Sequence, residues 1–386
     1  REFKFKRFNN SLDVIYLSED MSTYRVSIEG NENINNFLSL VHQRKNNMIF
    51  SILFSQYYNK PGFTFIQKIK DKNRIIDVDM FDIRFRVSKE VPISDTIIKN
   101  LSKLPISQTD KIIYRYKQRL SLTISPSFNI DLTMVKTSPN VNKLNEMTNT
   151  YELEIDYSPD GKDKVTLKSI LSEMEDIKKV LYGSNILITN EEESKVIENY
   201  KNLVYGSNNN TFNTLYSMQP VSAEVQHFVD NIPNRYSVTD KADGDKYQMF
   251  IMDDTVYLIS NNLHVKKLNK QISNLNNTIV EGEYIYLSEE RKNLFMIFDC
   301  LYFKGKDIKN EIMLKDRLEK VYLVSEELNK SVYRIETYDG NFNLDKIKNH
   351  YNKEILNFYK NINKMLDSTS INGTVFHPKI FLFPTG

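Results

Sequence analysis

The chain has 386 residues, 40% hydrophobic and 26% charged, with a formal net charge of +2, which excludes a disordered or fibrous chain and allows two or three domains. Near-neutrality also excludes a polycation that holds nucleic acid through its global field, so any such contact rests on local clusters. One cysteine, Cys300, and five His exclude an internal disulfide and a zinc site of ordinary spacing and point to a reducing compartment, while no apolar run reaches the roughly 18 residues that span a bilayer.

From Arg1 to about Pro159 the chain alternates in short runs: Arg1 to Phe8, Tyr24 to Ile28, Ile75 to Met80, Ile83 to Val87, Ile112 to Ile124, Ile130 to Val135 and Tyr151 to Tyr157. Period-2 alternation of this kind predicts antiparallel β-structure. Residues two apart in a strand share a face, so Arg115, Lys117 and Arg119 point one way, and so do Glu152, Glu154 and Asp156. Such faces are consistent with plain solvation. They are equally suited to a barrel with a charged lumen, where carboxylates two apart would hold a hard divalent cation and arrayed Arg and Lys would hold a polyphosphate.

After the turn signal Pro159-Asp160-Gly161, residues Leu167 to Leu181 and Glu191 to Leu203 have helical spacing. Gly206 to Thr211 reads as a linker, which predicts a first domain over 1–205, a linker over 206–218 and a second domain over 219–386. In the second domain a short helix is predicted over Ala223 to Val229, followed by a strand over Tyr236 to Thr239 that runs into Lys241. Strands over Lys246 to Met252 and Thr255 to Ser260 flank a hairpin turn at Asp253-Asp254. Strands over Asn277 to Leu287 and Leu294 to Phe303, a helix over Leu314 to Leu328 and a last strand through Asn372 to Phe376 follow. The expected class is α+β, with an N-terminal antiparallel β-barrel and a second domain of antiparallel sheets flanked by helices. Arg1 in place of an initiator methionine, and an end in mid-element at Phe381 to Gly386, read as a piece of a longer protein.

The first half resembles the triphosphate tunnel metalloenzymes, in which a β-barrel hydrolyses the γ-phosphate of a triphosphate. The resemblance assigns Glu152 and Glu154 to a metal-binding pair and Glu2 to the second position of an N-terminal pair whose first member would precede Arg1. It assigns Arg25, Arg115, Lys117, Arg119, Asp131 and Thr133 to the triphosphate.

The second half carries Lys241-x-Asp243-Gly244, then Glu281-Gly282-Glu283, then Phe298-Asp299, then a helix with Arg317, then Gly373-x-Val375-Phe376. A lone Lys-x-Asp-Gly also makes an ordinary turn, but this order resembles the covalent nucleotidyltransferases, the mRNA guanylyltransferases and ATP-dependent polynucleotide ligases. The resemblance implies that Lys241 carries the nucleotide covalently, that Asp243, Gly244, Lys246, Glu283, Phe298 and Asp299 bind it, and that Gly244 gives the backbone room beside it. Lys246 stands where an Arg is usual and Asn372 where an acid is usual, which weakens a fork-like ribose contact and a metal role there. Arg317 reads as a surface charge. A Lys-x-Lys strand and an oligonucleotide-binding-fold lid would lie beyond Gly386.

Both halves on one chain resemble the multifunctional mRNA capping enzymes of large DNA viruses. That implies GTP and an RNA 5′ end as substrates, Mg²⁺ or Mn²⁺ as cofactor, no membrane, and the infected cell's cytoplasm or the virion as location. A methyltransferase on the same full-length chain is also implied. Two alternatives are an ATP-dependent polynucleotide ligase with an unrelated β domain and a noncatalytic RNA-binding subunit.

Overall fold

The computed structural model describes residues 3–18, 23–43, 49–103, 111–125, 127–157, 166–206, 213–218, 221–222, 224–229, 236–288, 292–310, 313–328, 345–353 and 374–383. Two compact units, Arg1–Met174 and Glu175–Gly386, divide the chain.

The first unit is built on a seven-stranded antiparallel sheet ordered β4-β3-β2-β1-β5-β6-β7. Its strands are β1 (Lys4–Leu17), β2 (Thr23–Glu29), β3 (Phe63–Val78), β4 (Ile83–Pro92), β5 (Ile112–Ser125), β6 (Phe128–Ser138) and β7 (Thr150–Tyr157), and helices α1 (Asn31–Gln43), α2 (Ile49–Ile52) and α3 (Asp95–Leu101) interrupt them. One pleat phase supplies the core: Leu12, Val14, Val26, Ile28 and Tyr114 pack with Phe37, Phe50 and Leu53 from α1, α2 and the turn after it. The other phase carries charge, because register preserves parity from strand to strand. Asp13 faces Ser27 and Arg115, Arg119 faces Thr133, and Thr133 faces Glu152.

The sheet is curled. Lys68 on β3 and Asp156 on β7 act on each other electrostatically, although five strand steps separate them. In a flat sheet those steps would span about 24 Å, beyond the screening length of ~8–10 Å. Among the described residues the ladder runs from β4 to β7 without closing on itself, so the expected barrel is a curled, half-barrel wall.

The second unit is a sheet ordered β10-β9-β8-β11-β12-β13, with β14 parallel to β12. The strands are β8 (Asp245–Met252), β9 (Thr255–Ser260), β10 (Val265–Gln271), β11 (Thr278–Leu287), β12 (Lys292–Phe303), β13 (Lys306–Asp307) and β14 (Thr374–Pro378). Helices α4 (Leu167–Tyr182), α5 (Asn190–Tyr205), α6 (Val225–Val229) and α7 (Leu314–Leu328) accompany them, and the division between units falls inside α4. Helix α5 covers one face, through Val196 and Tyr200 against Phe250, Tyr257 and Ile259. Helix α7 covers the other, through Leu318, Val321 and Val324 against Met249, Phe295 and Ile297. The predicted hairpin is present, with Asp253 at φ 48° and Asp254 at φ 61°, the left-handed pair of a type I′ turn.

Two expectations are corrected. The predicted linker lies partly inside the second unit. Leu215 is buried beside α5, the Tyr216 N–H donates to the Tyr200 hydroxyl at 3.0 Å, and that hydroxyl donates to Gln248 at 2.6 Å. Residues 215 and 216 thus belong to the same core as α5, so the edge of the domain does not lie at 206–218; residues 207–212 lie outside the described residues. The strand expected over Tyr236 to Thr239 is reduced to one antiparallel bridge, Val238 with Leu382.

The approach of β11 and β12 is close. A Cβ on Gly282 would lie 2.5 Å from the Phe295 ring and 2.8 Å from the Met296 carbonyl oxygen. Gly282→Ala should therefore lower the urea unfolding free energy by about 1–3 kcal/mol, read from the midpoint at unchanged slope. A second test uses His377, fully buried on β14, where burial pushes its pKa down to about 4. Above the unfolded value of about 6.5 the ring is neutral in both states; below it only the unfolded chain takes up the proton. Stability should fall as pH drops from about 6.5 to about 4, and His377→Phe should flatten that limb relative to the unsubstituted protein.

Candidate functional site

In the first unit the charged pleat phase gathers the residues singled out in the sequence. Arg119 is the centre of a fork: its Nε donates to Thr133 at 3.1 Å and its two terminal nitrogens to Asp131 at 2.7 Å and Glu154 at 2.9 Å. Arg115 donates to Glu152 at 2.5 Å. Asp131 and Thr133 are buried, so they hold Arg119 in place and offer little surface to a ligand.

Lys117 lies deeper. Its ammonium is paired with buried Asp13, which also accepts from the Ser27 hydroxyl at 2.8 Å. Desolvation holds the Lys117 pKa below the usual lysine range, against the opposite pull of Asp13. Arg25 donates to Glu90 at 3.2 Å, and Glu90 also receives Lys68 at 3.4 Å. The buried Nε of Arg25 has no hydrogen-bond partner among the described residues. Asp156 continues the carboxylate row of β7. Partial desolvation and the neighbouring Glu154 and Asp131 raise its pKa.

By chemistry, carboxylates two residues apart on one strand face suit a hard divalent cation. Among the described residues no three acidic, His or Cys side chains converge on one point, because Glu152 and Glu154 are each turned onto an arginine. Glu2 lies outside the described residues. Asp13, Ser27, Lys68 and Glu90 escaped the sequence reading. Asp13 sits in the apolar run Leu12-Asp13-Val14, and only its phase relative to the charged strands marks it.

In the second unit Lys241 is exposed and has no hydrogen bond or ion pair to a described residue. Its main chain is pinned on both sides. Val238 exchanges two backbone hydrogen bonds with Leu382, both 2.9 Å, and Thr239 donates to the Ile380 carbonyl at 2.7 Å. The Asp240 N–H donates to the Tyr351 hydroxyl at 3.0 Å, and that hydroxyl donates back to the Asp240 carboxylate. Ala242 is buried against Leu294, Met296 and Val375. The space at Gly244 is taken by protein: a Cβ there would lie 2.8 Å from both the Tyr284 carbonyl and Ile285. Close strand packing by itself demands glycine at that position. Asp243 is exposed beside it.

Lys246 is tied to buried Glu281 at 2.8 Å and donates to Ser217 at 2.7 Å, with its ammonium 6.0 Å from the Phe298 ring centroid. Glu281 also accepts from Gln248 at 2.7 Å. Glu283, two residues on and on the same face, keeps one carboxylate oxygen buried with no partner among the described residues. Phe298 is the extra residue of a β-bulge, since the register passes from Glu281 opposite Asp299 to Gly282 opposite Ile297. Asp299 is committed to structure: Arg317 holds it bidentately at 2.7 and 3.0 Å, and the Cys300 N–H donates to it at 2.7 Å. The surface charge expected at Arg317 is thus a partly buried clamp between α7 and β12. Asn372 and Gly373 lie outside the described residues.

Comparison with known proteins yields two family profiles in tandem. That described as mRNA capping enzyme, beta chain, matches residues 2–179, and that described as mRNA capping enzyme, catalytic domain, matches residues 179–378. The probable mRNA-capping enzyme of Acanthamoeba polyphaga mimivirus is 32% identical over 98% of this chain, which spans 32% of that protein. A crystal structure of the RNA triphosphatase domain of a trifunctional mimivirus mRNA capping enzyme is 29% identical, covering 44% of this chain and 72% of its own, with a TM-score of 0.37. A monoclinic form of the mimivirus capping enzyme triphosphatase is 28% identical over 44% of this chain and 73% of its own, at the same TM-score of 0.37.

The buried Asp13–Lys117 pair makes a test of the charged sheet. Asp13→Ala leaves an uncompensated buried ammonium and should destabilise the first unit by about 3–5 kcal/mol. Adding Lys117→Met should recover most of that loss, as read by urea unfolding.

Proposed function

The chain belongs to the mRNA capping enzymes, and we propose that its two units perform two consecutive steps on one RNA 5′ end. The first unit removes the γ-phosphate of the 5′-triphosphate; the second transfers GMP from GTP to the resulting diphosphate through Lys241. The observation that carries this reading is the charged pleat phase of the first sheet, where five cations and six carboxylates from seven strands share one curled face. A plain structural sheet has no need of that arrangement.

In the first unit Glu152 and Glu154 would hold a divalent cation, Mg²⁺ or Mn²⁺, which when bound neutralises phosphate charge and favours attack by water. Arg115 and Arg119 must then release those carboxylates. Both become free to donate to phosphate oxygens, for which the guanidinium fork is suited. Arg25 and Lys68 extend the same face. Asp131 and Thr133 keep Arg119 aimed, and Asp13 keeps Lys117 in place at the centre. Water attacks the γ-phosphorus, the bond to the β-bridging oxygen breaks, and inorganic phosphate leaves.

In the second unit the Lys241 amine, in its neutral form, attacks the α-phosphorus of GTP. A nitrogen–phosphorus bond forms, the α–β bridging bond breaks and pyrophosphate leaves; the 5′-diphosphate oxygen of the RNA then displaces the lysine. The pinned main chain on either side of Lys241 leaves only its four-carbon stem to reorient. The unpartnered oxygen of Glu283 is an acceptor for a ribose hydroxyl, and Phe298 offers a ring for the base. Lys246, held by Glu281, supplies fixed positive charge beside them. The viral source of the relative that is 32% identical over 98% of this chain supports action in the infected cell's cytoplasm or the virion.

Substitutions separate the two steps. Lys241→Ala should abolish the covalent adduct formed with α-labelled GTP while γ-phosphate release from triphosphate RNA persists. Glu152→Ala should do the reverse, lowering γ-phosphate release by at least about 10–100-fold. Loss of both activities in either variant would contradict separate sites, and an adduct formed with ATP but not GTP would favour a ligase.

A further inference from the structure

The sheet of the second unit has a concavity on the face opposite Lys246, Glu281 and Glu283. It is a cavity of about 290 Å³ floored by Leu258 and Leu268, with Lys266, Tyr284, Asn293 and Thr374 around it and the segment from Lys179 to Asn185 across its mouth. Strand parity fixes the face. Leu258, Leu268 and Tyr284 pack with the core under α7, whereas Lys246 and Gln248 alternate to the side of α5.

The Lys266 ammonium lies 5.1 Å from the ring centroids of both Tyr247 and Tyr284, and it pairs with no carboxylate among the described residues. Gly183, at φ +55°, brings the last turn of α4 against it: a Cβ there would stand 3.3 Å from the ammonium. The partial negative charge of a helix C-terminus and two ring faces hold this cation without neutralising it. The rest of the rim is polar apart from Val180: Lys179 there is paired with Glu175 at 2.6 Å, and the Tyr284 and Thr374 hydroxyls lie 2.9 Å apart. An unneutralised cation, a tyrosine wall, an apolar floor and a rim that adds hydroxyls, amides and the paired Lys179 suit one phosphate attached to one planar ring.

Position narrows the ligand further. Tyr284, Asn293 and Thr374 lie at the end of the sheet where β8 begins, since Asp245 pairs with Tyr284 and Asn293 with Thr374. The Tyr284 carbonyl touches Gly244, and Lys241 is three residues further, a reach of about 10 Å of extended chain. The volume is at the low end of small-ligand pockets and admits one nucleotide unit, not a folded RNA.

We propose that this cavity binds one nucleotide of the RNA substrate downstream of its 5′ end, with the phosphate on Lys266 and the base over Leu258 and Leu268 beside Tyr284. The proposal rests on the capping reading of Lys241, and its test keeps the two apart. Binding of a short single-stranded RNA with a 5′-hydroxyl, which offers nothing to a triphosphate site, is followed by fluorescence anisotropy over a salt series. Lys266→Ala should weaken binding about 5–10-fold and reduce the salt slope by about one, while the covalent adduct with GTP forms to the same extent as in the unsubstituted protein. Ser184→Glu, which adds a carboxylate at the mouth without touching the sheet, should weaken binding likewise. Unchanged affinity and slope in both variants would overturn the proposal, as would loss of RNA binding and GTP adduct together, which would make the cavity part of the nucleotide site. Absence of the adduct from the unsubstituted protein would instead refute the capping reading.

Discussion

The first unit depends on the pairing of charges that its own fold takes out of water. Desolvating a lone ammonium or carboxylate costs several kcal/mol, and the sheet carries a whole row of them on one pleat phase. The fold is tolerable because register sets opposite charges beside one another: Lys117 on Asp13, Arg119 on Asp131 and Glu154, Arg115 on Glu152, Arg25 and Lys68 on Glu90. The same parity sends Leu12, Val14, Val26 and Tyr114 to the helices on the other side. One alternation thus yields both the core and the site, and a slip of one residue would exchange them. On the proposed function the pairs are also what a substrate must break: a triphosphate would compete with carboxylates for arginines, and a metal with arginines for carboxylates.

The second unit places its lysine differently. Lys241 is exposed, and its neighbours in the chain carry the constraint, through the Val238–Leu382 bridge, the Asp240–Tyr351 bonds and buried Ala242. The two glutamates of Glu281-Gly282-Glu283 have separate environments despite sharing a face. Glu281 is paired with Lys246 and accepts from Gln248, and Glu283 retains an oxygen with no partner among the described residues. Gly282 and Gly244 let neighbouring strands approach to distances that any Cβ would obstruct.

Period-2 alternation made most strands of the charged sheet legible, including the shared face of Arg115, Lys117 and Arg119 and that of Glu152 and Glu154, but not residues 9–17 of β1 or 63–74 of β3. Helices α1 and α2 were not legible in that way: their buried residues matter only once a sheet face exists to receive them. Asp13 is invisible as a single polar residue among apolar neighbours until register aligns it with Arg115 and Ser27. The role of Arg317 was misread because nothing in a helical sequence shows that a residue 18 positions earlier completes a bidentate pair with it. The domain division was misplaced because polar composition at 206–211 reports a break in periodicity, whereas the unit to which α5 belongs is set by where Val196 and Tyr200 are buried.

On the proposed function, the arginines that neutralise the carboxylates of the charged sheet are those that bind the triphosphate. Calorimetric titration of Arg115→Met with Mn²⁺ alone, and separately with tripolyphosphate alone, tests it most directly. The account predicts opposite shifts relative to the unsubstituted protein: tighter Mn²⁺, because Glu152 is released, and weaker tripolyphosphate, because a phosphate ligand is lost. Weakening of both ligands, or Mn²⁺ affinity that does not move, would contradict it.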